Sequence, residues 1–313
     1  MIHQLDYNGL DKVEKAIKRL QLYEPPEGYY LCFSGGKDSV VIKTLADMAG
    51  VKYDAHYSIS SVDPPELVRF IKDKHPDVIF ERPRDENGDY ITMWNLIPTK
   101  TMPPTRIVRY CCKALKETGG KGRLKITGVR WNESSRRKRG HGEVTVMDKK
   151  APKFFKEFDD DDYFVTPQGV VLPLDNVENR RMVEACYKKH STTINPIVDW
   201  TTEEVWEFIT EYNVPYCSLY DEGFARLGCI GCPMASKKMR EYEFERWPKY
   251  KQLYLLAFEK MIALHGWGMR TFNDPDQVME GYINEHWTAQ PGGGSKPFRE
   301  TSNDIMDWWI NIK

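Results

Sequence analysis

Ser34-Gly35-Gly36-Lys37-Asp38-Ser39 stands between an apolar run, Tyr29-Tyr30-Leu31-Cys32-Phe33, and a segment with apolar residues at helical spacing, Val40-Val41-Ile42-Lys43-Thr44-Leu45-Ala46-Asp47-Met48, that stops at Gly50. The run reads as a buried strand and the segment as a helix. Strand, glycine turn and helix start together make an anion site. Glycines let the backbone come close to a phosphate, and the free N–H groups of the first helical turn, with the helix dipole, favour negative charge there. Ser34 and Ser39 add hydroxyl donors and Lys37 adds a cation. Two glycines alone would suit an ordinary βα turn; the whole hexapeptide at this junction points to a nucleotide. All six residues are therefore candidate nucleotide-binding positions, with Lys37, Asp38 and Ser39 as candidate catalytic residues.

The hexapeptide lacks the G-x-x-x-x-G-K-[ST] spacing of a Walker A loop and the G-x-G-x-x-G of a dinucleotide fingerprint. It resembles instead the pyrophosphatase loop, or PP-loop, of the ATP pyrophosphatases. That resemblance implies ATP, with Mg2+, split between its α- and β-phosphates, an acceptor adenylated, and the departing pyrophosphate held by the loop.

The surrounding chain supports an α/β reading. Residues 11–22 form an amphipathic helical pattern broken by Glu24-Pro25-Pro26-Glu27-Gly28. Further strands are expected at 53–58, 78–81 and 125–129, with a helix from about 63 to 74 whose prolines suit a helix entrance. Strands alternating with helices predict a doubly wound, mostly parallel sheet of the adenine-nucleotide α-hydrolase (PP-loop) type, with ligands at the C-terminal ends of the strands. Thr201-Thr202-Glu203-Glu204 opens another helix, with a threonine cap and acids in the first turn. Between about 140 and 174 the pattern is lost: an acidic run, Asp159-Asp160-Asp161-Asp162, sits among short alternating runs that suggest a β insertion or flap, with a solvated loop as the plainer alternative. The domain expectation is thus a PP-loop domain over 1–235 and a helical region over 236–313. Trp247, Trp267, Trp287, Trp308 and Trp309 read as core, and Gln290-Pro291-Gly292-Gly293-Gly294-Ser295 as a break before a final helix.

Composition narrows the partners. With 313 residues and 41% hydrophobic content the chain has a core of real size, and a formal net charge of −1 argues against a protein that coats nucleic acid generally. No stretch is long and apolar enough to span a membrane, and Met1-Ile2-His3-Gln4-Leu5-Asp6 lacks the pattern of a signal peptide. A cytoplasmic location is the expectation, with reduced cysteines that suggest metal or catalysis before disulfides.

Four of the seven cysteines form two pairs, Cys111-Cys112 and Cys229-Ile230-Gly231-Cys232. Cys-x-x-Cys places two thiolates on one side of a tight turn. Neighbouring side chains diverge, by about 100° on a helix, so Cys111 and Cys112 reach one centre only if it is large or the backbone bends. This favours a [4Fe–4S] cluster on the four thiols over zinc. The alternative is a pair of plain buried thiols with Cys229 and Cys232 as a redox couple.

Tandem cysteines followed by a distant Cys-x-x-Cys resemble the cluster-binding pattern of adenylylsulfate reductases, in the phosphoadenosine phosphosulfate (PAPS) reductase family. Ile194-Asn195-Pro196-Ile197-Val198-Asp199-Trp200-Thr201, Val214-Pro215-Tyr216-Cys217-Ser218-Leu219-Tyr220-Asp221-Glu222-Gly223-Phe224 and Gly128-Val129-Arg130-Trp131-Asn132-Glu133-Ser134-Ser135-Arg136 resemble three further segments of that family, in the right order over about 28–235. The family's sulfate-reducing members carry a catalytic cysteine near the C-terminus and a degenerate loop. Here the last cysteine is Cys232 and the loop is intact. Both departures point towards family members that cleave ATP, such as the DndC-like proteins of DNA phosphorothioation, with tRNA thiolases as a chemical parallel. The resemblance then implies adenylation of an acceptor and sulfur insertion, with a sulfur donor such as a cysteine desulfurase. A phosphoadenylyl- or adenylyl-sulfate reductase, and a nucleotide- or nucleic-acid-binding module with structural zinc, stay open.

Gly128 and Arg130 join the nucleotide-binding candidates through their place in the family turn. Asp63 follows the second strand, where an adenosine would lie, with a helix cap as the alternative. Arg130, Glu133, Arg136 and Arg137 are candidate substrate-binding residues. With Lys138 and Arg139 they make a local basic surface able to hold a polyanionic acceptor, nucleic acid included. A solvated charged face is the plainer reading. Cys217 and Cys186 are expected to pack.

Overall fold

The computed structural model describes residues 1–6, 9–158, 162–265 and 301–311. The acidic residues 159–161, the break at 290–295, Trp267 and Trp287 lie outside the described residues. The chain divides into two compact units: one built from Met1–Ile59, Asp63–Arg82 and Thr118–Gly228, the other from Ser60–Val62, Pro83–Glu117 and the chain from Cys229 onward.

The first unit holds the sheet. It begins with α1 (Lys12–Leu22), where Asp11 accepts the Glu14 N–H and Glu14 returns the bond, a reciprocal cap that sets the helix start. Val13, Ala16 and Leu20 form its buried face, which packs on α2 (Lys37–Ala49). Four parallel strands follow the expected pattern: β1 (Tyr29–Cys32), β2 (Tyr53–Ser58), β3 (Ile79–Glu81) and β4 (Lys125–Ile126). The α3 helix (Pro65–Lys74) links β2 to β3. The sheet order is β3-β2-β1-β4-β8-β5-β7-β6, with β8 spanning Thr192–Ile194. From β1 the chain winds outward through β2 to β3, then returns on the other side of β1 as β4. The point between β1 and β4 is the topological switch, and the loop after β1 opens there, at the strands' C-terminal ends.

One element differs from expectation, and at a second the structure decides between two alternatives. β4 ends at Ile126 rather than 129: the Thr127 N–H makes the last ladder bond, to the Ile194 carbonyl at 3.0 Å, while its hydroxyl goes to the Asn195 side chain at 2.5 Å. Gly128 to Arg130 are thereby released as loop at the strand's end. The stretch 140–174, for which a solvated loop was the plainer alternative, contributes β5 (Val144–Val146), β6 (Phe164–Thr166) and β7 (Gly169–Leu172). These join the sheet antiparallel, β5 against β8. Val144, Val146, Val170, Val171 and Leu172 are fully buried, and this burial secures the insertion. The remaining helices of this unit are α6 (Ser135–Gly140), α7 (Ala151–Phe155), α8 (Val177–Cys186) and α9 (Thr202–Glu211). Thr201 caps α9 with Glu204 in a reciprocal box, as the sequence signals.

Among its described residues the second unit is helical: α4 (Met93–Leu96), α5 (Tyr110–Leu115), α10 (Lys237–Arg246), α11 (Pro248–His265) and α12 (Ser302–Asn311). Trp309 is fully buried among Phe244, Tyr254 and Phe258, and its indole N–H donates to the Pro104 carbonyl at 2.6 Å. Buried Arg240 donates to the Trp309 and Ile310 carbonyls at the C-terminal end of α12, where a cation suits the helix dipole. Trp247 is also buried, and Trp308 half-buried. Among the described residues no helix is long and apolar enough to cross a membrane.

Candidate functional site

The glycine-rich loop is shaped by its approach to α3. Gly35 has φ +72°, and a Cβ there would stand 2.7 Å from Leu67 Cδ1 and 2.8 Å from Ile71 Cδ1. The backbone thus needs glycine twice, for its left-handed conformation and for space. Gly35→Ala is expected to cost about 2–3 kcal/mol, the left-handed penalty plus core displacement. A urea-unfolding midpoint equal to wild type would show that the loop relaxes freely around a side chain. Gly36 occupies the cap position of α2 without a side-chain cap. Around it, Ser39 donates to the Gly36 carbonyl at 2.8 Å, the Ser34 and Ser39 hydroxyls lie 3.3 Å apart, and the Gly36 N–H points to Ser34 Oγ at 3.4 Å.

Asp38 is the electrostatic centre. Its Oδ2 is 3.1 Å from Lys37 Nζ, and its Oδ1 accepts from Arg130 Nε at 2.6 Å. The Arg130 side chain is 2% exposed and also donates to the Trp200 carbonyl at 3.2 Å. Two cations therefore share one carboxylate at the mouth of an anion-shaped turn, leaving a local excess of positive charge. Gly128 makes this contact reachable: a Cβ there would lie 3.1 Å from the Asp38 Cβ and 3.2 Å from its carbonyl oxygen. Beyond Arg130, Glu133 accepts the Arg130 backbone N–H at 3.1 Å and pairs with Arg137. Ser34 to Ser39, Gly128, Arg130, Glu133 and Arg137 are thus one connected set. Arg136, Lys138 and Arg139 are exposed on α6, outside that set. Asp63 is buried just ahead of α3, but the cap position belongs to Pro64.

Sequence reasoning missed Tyr220 as a site residue. Its hydroxyl accepts the Lys37 N–H at 2.8 Å, across 183 positions. The only signal was its place in the segment 214–224. Trp200 and Thr202, which receive the Arg130 guanidinium, were likewise quoted only as parts of motifs. Cys217 and Cys186 are buried, at 1% and 0% exposure, as packing residues should be.

The four paired cysteines all belong to the helical unit. Cys111 and Cys112 sit on α5, with Arg109 at its cap position. The neighbouring Cys111 thiol and the Arg109 guanidinium hold the Cys112 thiol well below the ordinary thiol range, while Cys112 and burial push Cys111 up. Both also feel Cys229 or Cys232 electrostatically. The Cys229–Cys232 turn is pinned by its backbone. Ile230 donates to the Val62 carbonyl at 2.8 Å, Gly231 donates to Glu243 Oε2 at 2.7 Å, and buried Tyr254 donates to the Ile230 carbonyl at 3.0 Å. Burial pushes Glu243 up to about 7. Among the described residues no three His, Cys, Asp or Glu side chains converge closely enough to hold a metal ion. Arg109 and Lys116 lie near enough to Cys112 to offset thiolate charge.

The chain belongs to the phosphoadenosine phosphosulfate reductase domain family, whose model matches residues 28–235. That stretch runs from the entrance of β1 through the Cys229–Cys232 turn. An uncharacterised protein of Methanocaldococcus jannaschii is 24% identical over 245 residues, 76% of this chain and 43% of that protein. The adenosine 5'-phosphosulfate reductase of Allochromatium vinosum is 39% identical over 54 residues, 17% of this chain and 21% of that enzyme. The chain thus spans less than half the length of these relatives. Among solved structures, the phosphoadenylyl-sulfate reductase of Candida auris in its phosphate complex overlays with a TM-score of 0.38 and 15% identity, covering 72% of this chain and 96% of that one.

Proposed function

We propose that this chain is an ATP pyrophosphatase of its family that adenylates an acceptor for thiolation. The observation that carries the reading is the intact loop at the β1–β4 switch point, with Asp38 shared between Lys37 and Arg130. In this reading the acceptor oxygen attacks the α-phosphorus of Mg-ATP, the bond to the bridging oxygen breaks, and the loop holds the leaving pyrophosphate. Lys37 and the helix start offset its charge, and Arg130 keeps Asp38 in place beside them. Catalysis is positioning and charge stabilisation. Cys111, Cys112, Cys229 and Cys232 would hold a [4Fe–4S] cluster, which when bound supplies a site for carrying sulfur or electrons. The sulfur itself would come from a donor such as a cysteine desulfurase. Exposed Arg136, Lys138 and Arg139 support a polyanionic acceptor such as a nucleic acid.

A second reading, reduction of an adenylated sulfate, is favoured by the short matches to adenosine 5'-phosphosulfate reductases. One experiment separates the two. Cluster-loaded protein is supplied with ATP, DNA or RNA oligonucleotides and a persulfide source, and in parallel with adenylylsulfate and a thiol reductant. AMP and pyrophosphate, with sulfur in the oligonucleotide, are the expected products. Sulfite from adenylylsulfate, with ATP untouched, would overturn the pyrophosphatase reading.

A further inference from the structure

Resting on the nucleotide reading above, we propose that Tyr220 is a phosphate-binding residue of the loop, a neutral phenol that donates a hydrogen bond to the pyrophosphate portion of the ligand. The first-turn N–H groups of a helix are the natural anion donors of such a site. At α2 three of these donors are already committed. The Ser39 and Val40 N–H groups fold back onto the Gly36 carbonyl at 2.9 and 3.1 Å, and the Lys37 N–H goes to the Tyr220 oxygen at 2.8 Å. A phenol that accepts one hydrogen bond still has one proton to give. The Lys37 N–H fixes where that oxygen stands, so the proton is presented at the turn where the anion would sit.

Two observations place the hydroxyl at the loop itself. The oxygen lies 3.4 Å from where a Cβ on Gly36 would be, so glycine at that position leaves it room. The ring is held by the edge of Trp206, at 5.1 Å between centroids and 86° between planes, and by the short helical turn Ser218–Tyr220. Burial and the nearby Asp38 carboxylate raise its pKa, so the proton is retained across the physiological range. A phenol also differs from a further lysine or arginine here. It adds a donor without adding charge beside Lys37 and Arg130, which already share a single carboxylate.

The test is Tyr220→Phe, which keeps the ring and removes only the hydroxyl. Binding of Mg-pyrophosphate and of AMP is measured by calorimetry on wild type and variant, with urea-unfolding midpoints alongside. Pyrophosphate affinity is expected to fall about tenfold or more, as for loss of one hydrogen bond to a charged ligand, while AMP affinity stays at the wild-type value and the midpoint falls only slightly, through the lost Lys37 N–H bond. Unchanged pyrophosphate affinity would reduce the phenol to a structural cap. Tighter pyrophosphate binding would make it a stopper that competes for the Lys37 N–H. An equal loss for both ligands would mean a general disturbance of the fold. Any of these overturns the assignment. If wild type itself binds neither pyrophosphate nor ATP, the nucleotide reading fails first and the role of Tyr220 falls with it.

Discussion

Asp38→Ala should abolish ATP turnover and also lower stability, whereas Ser39→Ala should lose turnover at nearly wild-type stability. The difference lies in what each side chain holds. Asp38 is the carboxylate partner of Arg130, whose side chain is 2% exposed. Without it a buried guanidinium keeps only neutral acceptors such as the Trp200 carbonyl. Losing a charged hydrogen bond of this kind costs about 2–3 kcal/mol. Ser39 makes a neutral bond to the Gly36 carbonyl, and its loss costs about 1 kcal/mol. Both changes disturb a preorganised phosphate turn, where removal of one element lowers turnover about 100-fold or more. Turnover is read as AMP release and stability as the urea midpoint. If Asp38→Ala cleaved ATP at the wild-type rate, the loop would not be the catalytic element.

The second large effect concerns the thiols. Serine in place of any one of Cys111, Cys112, Cys229 or Cys232 is expected to remove most of the iron bound after anaerobic reconstitution and to bleach the brown absorbance. A hydroxyl is a poor substitute for thiolate towards iron. Cys186→Ser should retain both, because that thiol is fully buried in the sheet-bearing unit and faces Thr192 Oγ1 at 3.7 Å. Full iron in the Cys111 and Cys112 variants would leave the tandem pair without a ligating role. Full zinc with no iron in wild type would replace the cluster by a structural metal.

Much of the frame was legible locally. The apolar run before Ser34, the helical spacing after it and the stop at Gly50 correspond to β1, α2 and its left-handed cap. Thr201 and Glu204 announced α9 through a reciprocal cap that lies within four residues. The β insertion was harder to read. β5 and β7 are short, and their burial comes from pairing with β8 and with each other, not from any long periodic pattern. β4 was overextended in the sequence reading because Thr127, Gly128 and Val129 carry no breaker strong enough to show where the strand stops. The last ladder bond, from the Thr127 N–H to the distant Ile194 carbonyl, marks that end.

By itself the sequence determined the strand–loop–helix junction, the anion-seeking character of Ser34 to Ser39, the alternation that makes a parallel sheet and the family those motifs mark. These are properties of neighbouring residues, written in glycine conformational freedom, helix caps and hydrophobic period. Only the tertiary structure decided that Arg130 is buried against Asp38, 92 positions away, and that the Tyr220 hydroxyl takes the Lys37 N–H. It alone gathered the two cysteine pairs into one helical unit. Such contacts depend on which strands become neighbours and where each one ends. That is a choice made by burial of whole elements together, and no local window of sequence contains it.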